Sequence, residues 1–233
     1  MATKRILVLA NSIKRSPSPC VAGREVDSAG SRFSLGRWIR PVSLHGKEGA
    51  LSPAEITLTS GSTVAVMDFV EIPVTESQGD PCQPENWIIS DRGNWKCLNQ
   101  LHRKPSLDLL EEKPNGLWLE KLQPTDRVSH EWLMKTPPRH SVCCIRTEKL
   151  RLLFYTNAWG KPCRRAGFAC HSIQYDLALT NPIITDKYCP HVPGAGQPMK
   201  DFRLVNCLIC VSLAGEFNGY HYKVVATVFE QDE

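Results

Sequence analysis

No stretch of this 233-residue chain approaches the roughly 18 consecutive apolar residues of a membrane-spanning helix, so no span is predicted. The apolar run Ile6–Ala10 follows Lys4 and Arg5 but meets Asn11 and Ser12 at once. It falls short of the roughly 7–15 apolar residues and small-residue cleavage site of a secretory leader. The expected location is the cytoplasm, with no membrane contact. Sustained helical periodicity is scarce, and so are catalytic signatures. Gly194-Ala-Gly-Gln-Pro-Met-Lys200 lacks the phosphate-loop pattern, and neither Gly-x-Ser-x-Gly nor HExxH occurs. Neither enzymatic activity nor a cofactor is expected. Only Cys20 and Cys163, both near arginines, have the electropositive setting that activates a thiol.

What is present suits an ordinary globular protein: 42% hydrophobic and 22% charged residues exclude the low-hydrophobicity, high-charge signature of disorder. Ten cysteines without a leader are expected to be reduced. Cys143, Cys144, Cys207 and Cys210 sit in apolar runs, where cysteine packs as a small hydrophobe. Cys163, Cys170, His171, Cys189 and His191 crowd one short stretch, yet zinc ligands usually come as close pairs on tight turns. Cys170-His171 and Cys189-Pro-His191 lack the two-residue gap. Cys207-Leu-Ile-Cys210 has it, but a strand would send its ends to opposite faces. No metal is expected.

Short β-branched runs bounded by Pro, Gly, Ser and Asn predict strands at 4–10, 20–26, 37–40, 62–74, 141–147, 150–155, 167–178, 206–213 and 220–230. Over 62–74, Val64, Val66, Asp68 and Val70 alternate with Ala65, Met67, Phe69 and Glu71. Residues 76–140 read as an irregular connector with short helices at 106–112 and 129–134. Thr136-Pro-Pro-Arg-His140 is its best linker, because a double proline stiffens the backbone and stops a helix. The expected fold class is mainly β, two small β-barrels joined by that connector. The first domain, barrel plus connector, is placed at 1–138 and the second barrel at 139–233.

Several strings sharpen this: Ile6-Leu-Val-Leu-Ala-Asn-Ser-Ile-Lys14, Cys20-Val-Ala-Gly23, Trp38-Ile-Arg-Pro-Val-Ser43, Gln83-Pro-Glu-Asn-Trp87, and Cys210-Val-Ser-Leu213 with Tyr222-Lys-Val-Val225. Together they resemble the bacterial dual OB-containing domain family, over nearly the whole chain. The resemblance implies two OB-like barrels; it implies architecture more than activity. The cysteine-rich second half, including Cys163, Cys170 and Cys189, departs from the family.

Residues 1–47 carry nine Lys and Arg against two acidic residues, a local charge of +7, which leaves −3 for the remainder. Such an excess favours an anionic partner. OB barrels bind oligonucleotides or oligosaccharides, with aromatics stacking on bases and basic groups tracking the backbone. Trp38 between Arg37 and Arg40, near Lys14, Arg15 and Arg24, has the chemistry of a stacking platform. Tryptophan is also highly buried on average, so a core Trp38 is the competing expectation. Trp159-Gly-Lys-Pro-Cys-Arg-Arg165 is a basic hairpin loop that would bring Trp159, Arg164 and Arg165 to a binding face, or else a solvated tip. Asn11, Ser12 and Ser43 are candidates for a small polar pocket, or for satisfying turn backbone. The function expected is a non-catalytic nucleic-acid-binding or nucleotide-sensing module, with single-stranded nucleic acid or a nucleotide as partner. The alternative is an adaptor subunit that docks a protein partner within a larger, defence-related complex.

Overall fold

Ile6 to Ala10 are buried without alternation, the mark of a strand covered on both faces. Their strand, β1 (Ala2–Arg15), is flanked on both sides, antiparallel to β2 (Ser18–Asp27) and to β4 (Phe69–Ser77). The structure, a computed structural model, describes residues 2–15, 18–27, 34–91, 94–98, 106–123 and 125–230. β3 (Ser34–Val42) pairs antiparallel with β2 and parallel with β5 (Asn86–Ile89), which returns to β4. The order β1-β2-β3-β5-β4-β1 closes a five-stranded OB barrel, and β6 (Lys96–Cys97) adds to β4. Two register irregularities between β1 and β2 supply the bends that closure requires. Gly23, opposite Val8, lies at one of them: a Cβ there would stand 2.2 Å from the Leu7 carbonyl oxygen, so only glycine fits. Ile6, Val8, Val21, Ile39, Val70 and Ile72 fill the interior.

The chain divides into two compact units, Met1–Pro105 with Pro138–Ser141, and Ser106–Pro137 with Val142–Glu233. The second unit repeats the topology. β8 (Val142–Thr156), β9 (Pro162–Cys170) and β10 (Ile173–Leu179) form a meander, followed by α2 (Pro182–Tyr188), β11 (Lys200–Phe217) and β12 (Tyr220–Phe229). The parallel β10–β12 pair closes this barrel as β3–β5 closes the first. β7 (Arg127–Ser129) adds to β12 and leads into α1 (His130–Lys135). Asn181 caps α2 by accepting from the Ile184 N–H at 2.9 Å and donates to the Ala226 carbonyl, fastening helix to sheet while Ile184 enters the core. Leu117 reaches the same core, and its N–H donates to the Tyr175 hydroxyl at 3.0 Å.

Several sequence expectations change; the strand expected at 167–178 is broken by a turn at His171, and those at 141–147 and 150–155 merge in β8. Residues 62–68 do not extend the strand at 69: Met67 takes φ 71°, the Asp68 carboxylate accepts from the Ala65 N–H, and Val64 enters the core from a loop. The predicted helix at 106–112 shrinks to a 3-10 turn, Leu107–Leu109, capped by Ser106. The connector expected to be irregular holds β4's last residues and all of β5, β6 and β7. No helix among the described residues is long and apolar enough to cross a membrane.

Candidate nucleic-acid interface

In the first barrel Trp38 and Arg40 are buried, on the face of β3 opposite the core residue Ile39. Trp38 is 4% exposed, with the Arg24 guanidinium 5.7 Å from its ring centroid. Arg24 donates to the Gly36 carbonyl at 2.6 Å. Arg40 is not an exposed anion contact. Residues 38–43 are all buried, and the Arg40 guanidinium meets the Glu85 carboxylate at 3.2 Å. Arg37 alone of this trio is exposed. The basic groups upstream are also engaged, Lys4 with Glu25 at 2.9 Å and Arg5 with Glu71 at 3.0 Å. The side chains of Lys14 and Arg15 lie outside the described residues.

The polar-pocket candidates Asn11 and Ser43 bond to backbone. Asn11 donates to the Val64 carbonyl at 2.8 Å, and the Ser43 hydroxyl accepts from the His45 and Gly46 N–H groups. Both satisfy loop backbone, and Ser12 is buried.

The second barrel presents what the first conceals. Trp159, 83% exposed, sits at the tip of the hairpin joining β8 and β9. Asn157 builds that tip: its side-chain oxygen accepts from the Trp159 and Lys161 N–H groups at 3.0 and 2.9 Å, and Gly160 takes φ 71°. On β9, alternation sends Arg164 and Arg165 to opposite faces. Arg165 pairs with Asp176 across to β10 at 3.1 Å, while the Arg164 Nε is buried with no hydrogen-bond partner.

A second aromatic group lies on the hairpin joining β11 and β12, at residues not singled out from the sequence. Asn218 and Gly219 take φ 52° and 81°, a turn that fits the right-handed twist of hairpin strands. It leaves Phe217 and Tyr220 44% and 39% exposed. Arg127, on the neighbouring β7, stacks its guanidinium 4.8 Å from the Tyr220 ring centroid and donates to the Tyr222 hydroxyl. That hydrogen bond raises the Arg127 pKa, and a guanidinium is charged at any working pH. The Asn-Gly dipeptide between aromatics was the available signal. Behind it Lys223, 1% exposed, donates to the Thr125 carbonyl at 2.8 Å, and burial pushes its pKa down to about 8.

In OB barrels, the hairpins joining the first to the second strand and the fourth to the fifth line the ligand face. In the second unit these are the Trp159 hairpin and the Phe217–Tyr220 hairpin.

No curated protein matches the chain. A crystal structure of the tetrameric p202 HIN2 is 7% identical, with a TM-score of 0.30 over 99% of this chain and 91% of that one. The model of the dual OB-containing domain matches residues 4–228, and with two closed OB barrels behind that match the chain belongs to this family.

Proposed function

We propose that the second barrel is a non-catalytic module that binds single-stranded nucleic acid through its two aromatic hairpins. The observation that carries this reading is Trp159, held in solvent by a turn built to display it. An exposed indole stacks on any base, and an arginine fixed beside tyrosine rings adds charge next to a second stacking surface. The OB topology supports the assignment of these hairpins, and the pairing of Lys4, Arg5 and Arg40 within the first barrel favours the second.

The test is fluorescence anisotropy of labelled oligo-dT and oligo-U with the full chain at about 50 mM and about 200 mM salt. Affinity is expected to fall with salt for both strands and to weaken in Trp159→Ala and Tyr220→Ala. Absence of binding at about 100 μM protein and low salt would overturn the proposal, since even non-specific complexes reach that range. So would binding that neither substitution changes.

A further inference from the structure

Away from both hairpins, the outer face of β8, β9 and β11 holds a groove of about 840 Å³. Leu150, Leu152 and Phe154 point into the core, so the alternate residues Lys149 and Arg151 point out. Arg203 on β11 stands directly opposite Arg151, and Val205 opposite Lys149. Like charges directly opposite each other destabilise a sheet. Asp201 holds Arg151 at 2.8 Å, and Asp176 on β10 adds to it from farther off. Among the described residues Arg203 and Lys149 form no ion pair. Arg146, at the edge of the groove, is held by Glu111 at 2.9 Å.

The floor gives an independent indication. Gly167 is in register with Arg151 on one side and Asp176 on the other, in the interior of β9 with no register break. Its backbone is not in the left-handed region, and a Cβ would meet nothing closer than 3.8 Å. Glycine weakens a strand interior, and besides bulges and barrel bends it is found where a ligand or another backbone approaches closely. Here its missing side chain bares the floor beside the opposed arginines.

We infer that this groove is a second binding site, for a small phosphate-bearing molecule of nucleotide size. Adjacent phosphate groups offset the charge of Arg151 and Arg203, guanidinium forks being suited to phosphate oxygens. The bare floor at Gly167 and the apolar Val205, 67% exposed, leave room and contact surface for a planar ring. The volume lies within the range of small-molecule sites, about 300–1,000 Å³.

Isothermal titration of the full chain with ATP, and separately with tripolyphosphate, tests the inference, melting curves confirming that each variant is folded. ATP is expected to bind, and to bind more tightly than tripolyphosphate. Arg203→Ala is expected to weaken ATP about ten- to a hundredfold, and Gly167→Leu to abolish binding by filling the floor. Trp159→Ala is expected to leave ATP binding unchanged while weakening oligonucleotides, so failure here is distinct from failure of the hairpin interface. Lack of ATP binding by the folded wild type, equal affinity for both probes, or ATP binding unaltered in folded Arg203→Ala would each overturn the site.

Discussion

Arg40 and Glu85 meet at 3.2 Å with both side chains buried, and Ser141 completes the arrangement. Its N–H donates to one Glu85 oxygen at 3.0 Å, its hydroxyl donates to the other, and that hydroxyl oxygen accepts from Arg40 at 2.9 Å. Removing one partner of such a pair strands a buried charge. Arg40→Ala and Glu85→Ala are each expected to lose about 3–5 kcal/mol of stability. Urea denaturation checks this; a loss below about 1 kcal/mol, typical of an exposed pair, would contradict it.

Trp38 and Trp159 are expected to behave as opposites. Trp38→Ala removes a buried ring and is expected to cost about 3–5 kcal/mol of folding stability. Trp159→Ala should leave the melting temperature in place and cost about 1–3 kcal/mol of single-strand binding. Thermal melts and anisotropy on both variants separate the two roles.

Lys223 gives stability a pH dependence of defined sign. Burial lowers its folded-state pKa to about 8, whereas the unfolded chain keeps the ordinary value of about 10.4. Between these values the unfolded state binds the extra proton, so this residue's contribution to stability rises with pH across that window, by about 3 kcal/mol in all. Below about 8 the lysine is charged in both states, and its burial penalty is fully present. Subtracting the stability of Lys223→Met from that of wild type at pH 7 and at pH 10, by urea denaturation, isolates the effect. A difference that stays flat would refute it.

Thiol labelling separates the cysteines by depth. Cys20 and Cys163 are half-buried, while Cys143, Cys170, Cys189, Cys207 and Cys210 are buried. Burial, with the Glu230 carboxylate adding to it, pushes the Cys207 thiol up to about 11, and burial holds Cys143 well above the ordinary range. The thiolate is the reactive form. Iodoacetamide at neutral pH is expected to modify Cys20 and Cys163 in the native protein and the buried set only after denaturation, as read by peptide mass spectrometry.

The fold was legible where burial follows strand period. Tyr220 to Glu230 and Lys4 to Ala10 read as strands because apolar residues occupy both faces; β1 contains the second, and β12 covers the first to Phe229. The 62–74 alternation misled because Met67 and Asp68 form a turn that period-2 counting does not register. β5 and β7 were hidden in the proline-rich connector, being four and three residues long, too short to show a pattern. The site was less legible. Trp38 and Arg40 stand beside basic residues in sequence, but their burial depends on β3 pairing with the distant β5, and on Glu85 and Ser141. Trp159 was visible as a loop aromatic. Arg127 and Tyr220 are 93 positions apart, and no local rule joins them. Arg203 and Arg151 become opposed only through β8–β11 register.

Residues 106–137 are grouped with the second unit, 138–141 return to the first, and β8 begins at 142. The chain therefore passes between the units three times, and no single cut yields two intact halves. A fragment ending at 105 leaves behind Ser141 and with it two of the hydrogen bonds to Glu85. A fragment beginning at 142 lacks Leu117 and the β7 strand that borders β12. Dissecting the protein genetically thus requires supplying 138–141 to the first half in trans or by grafting.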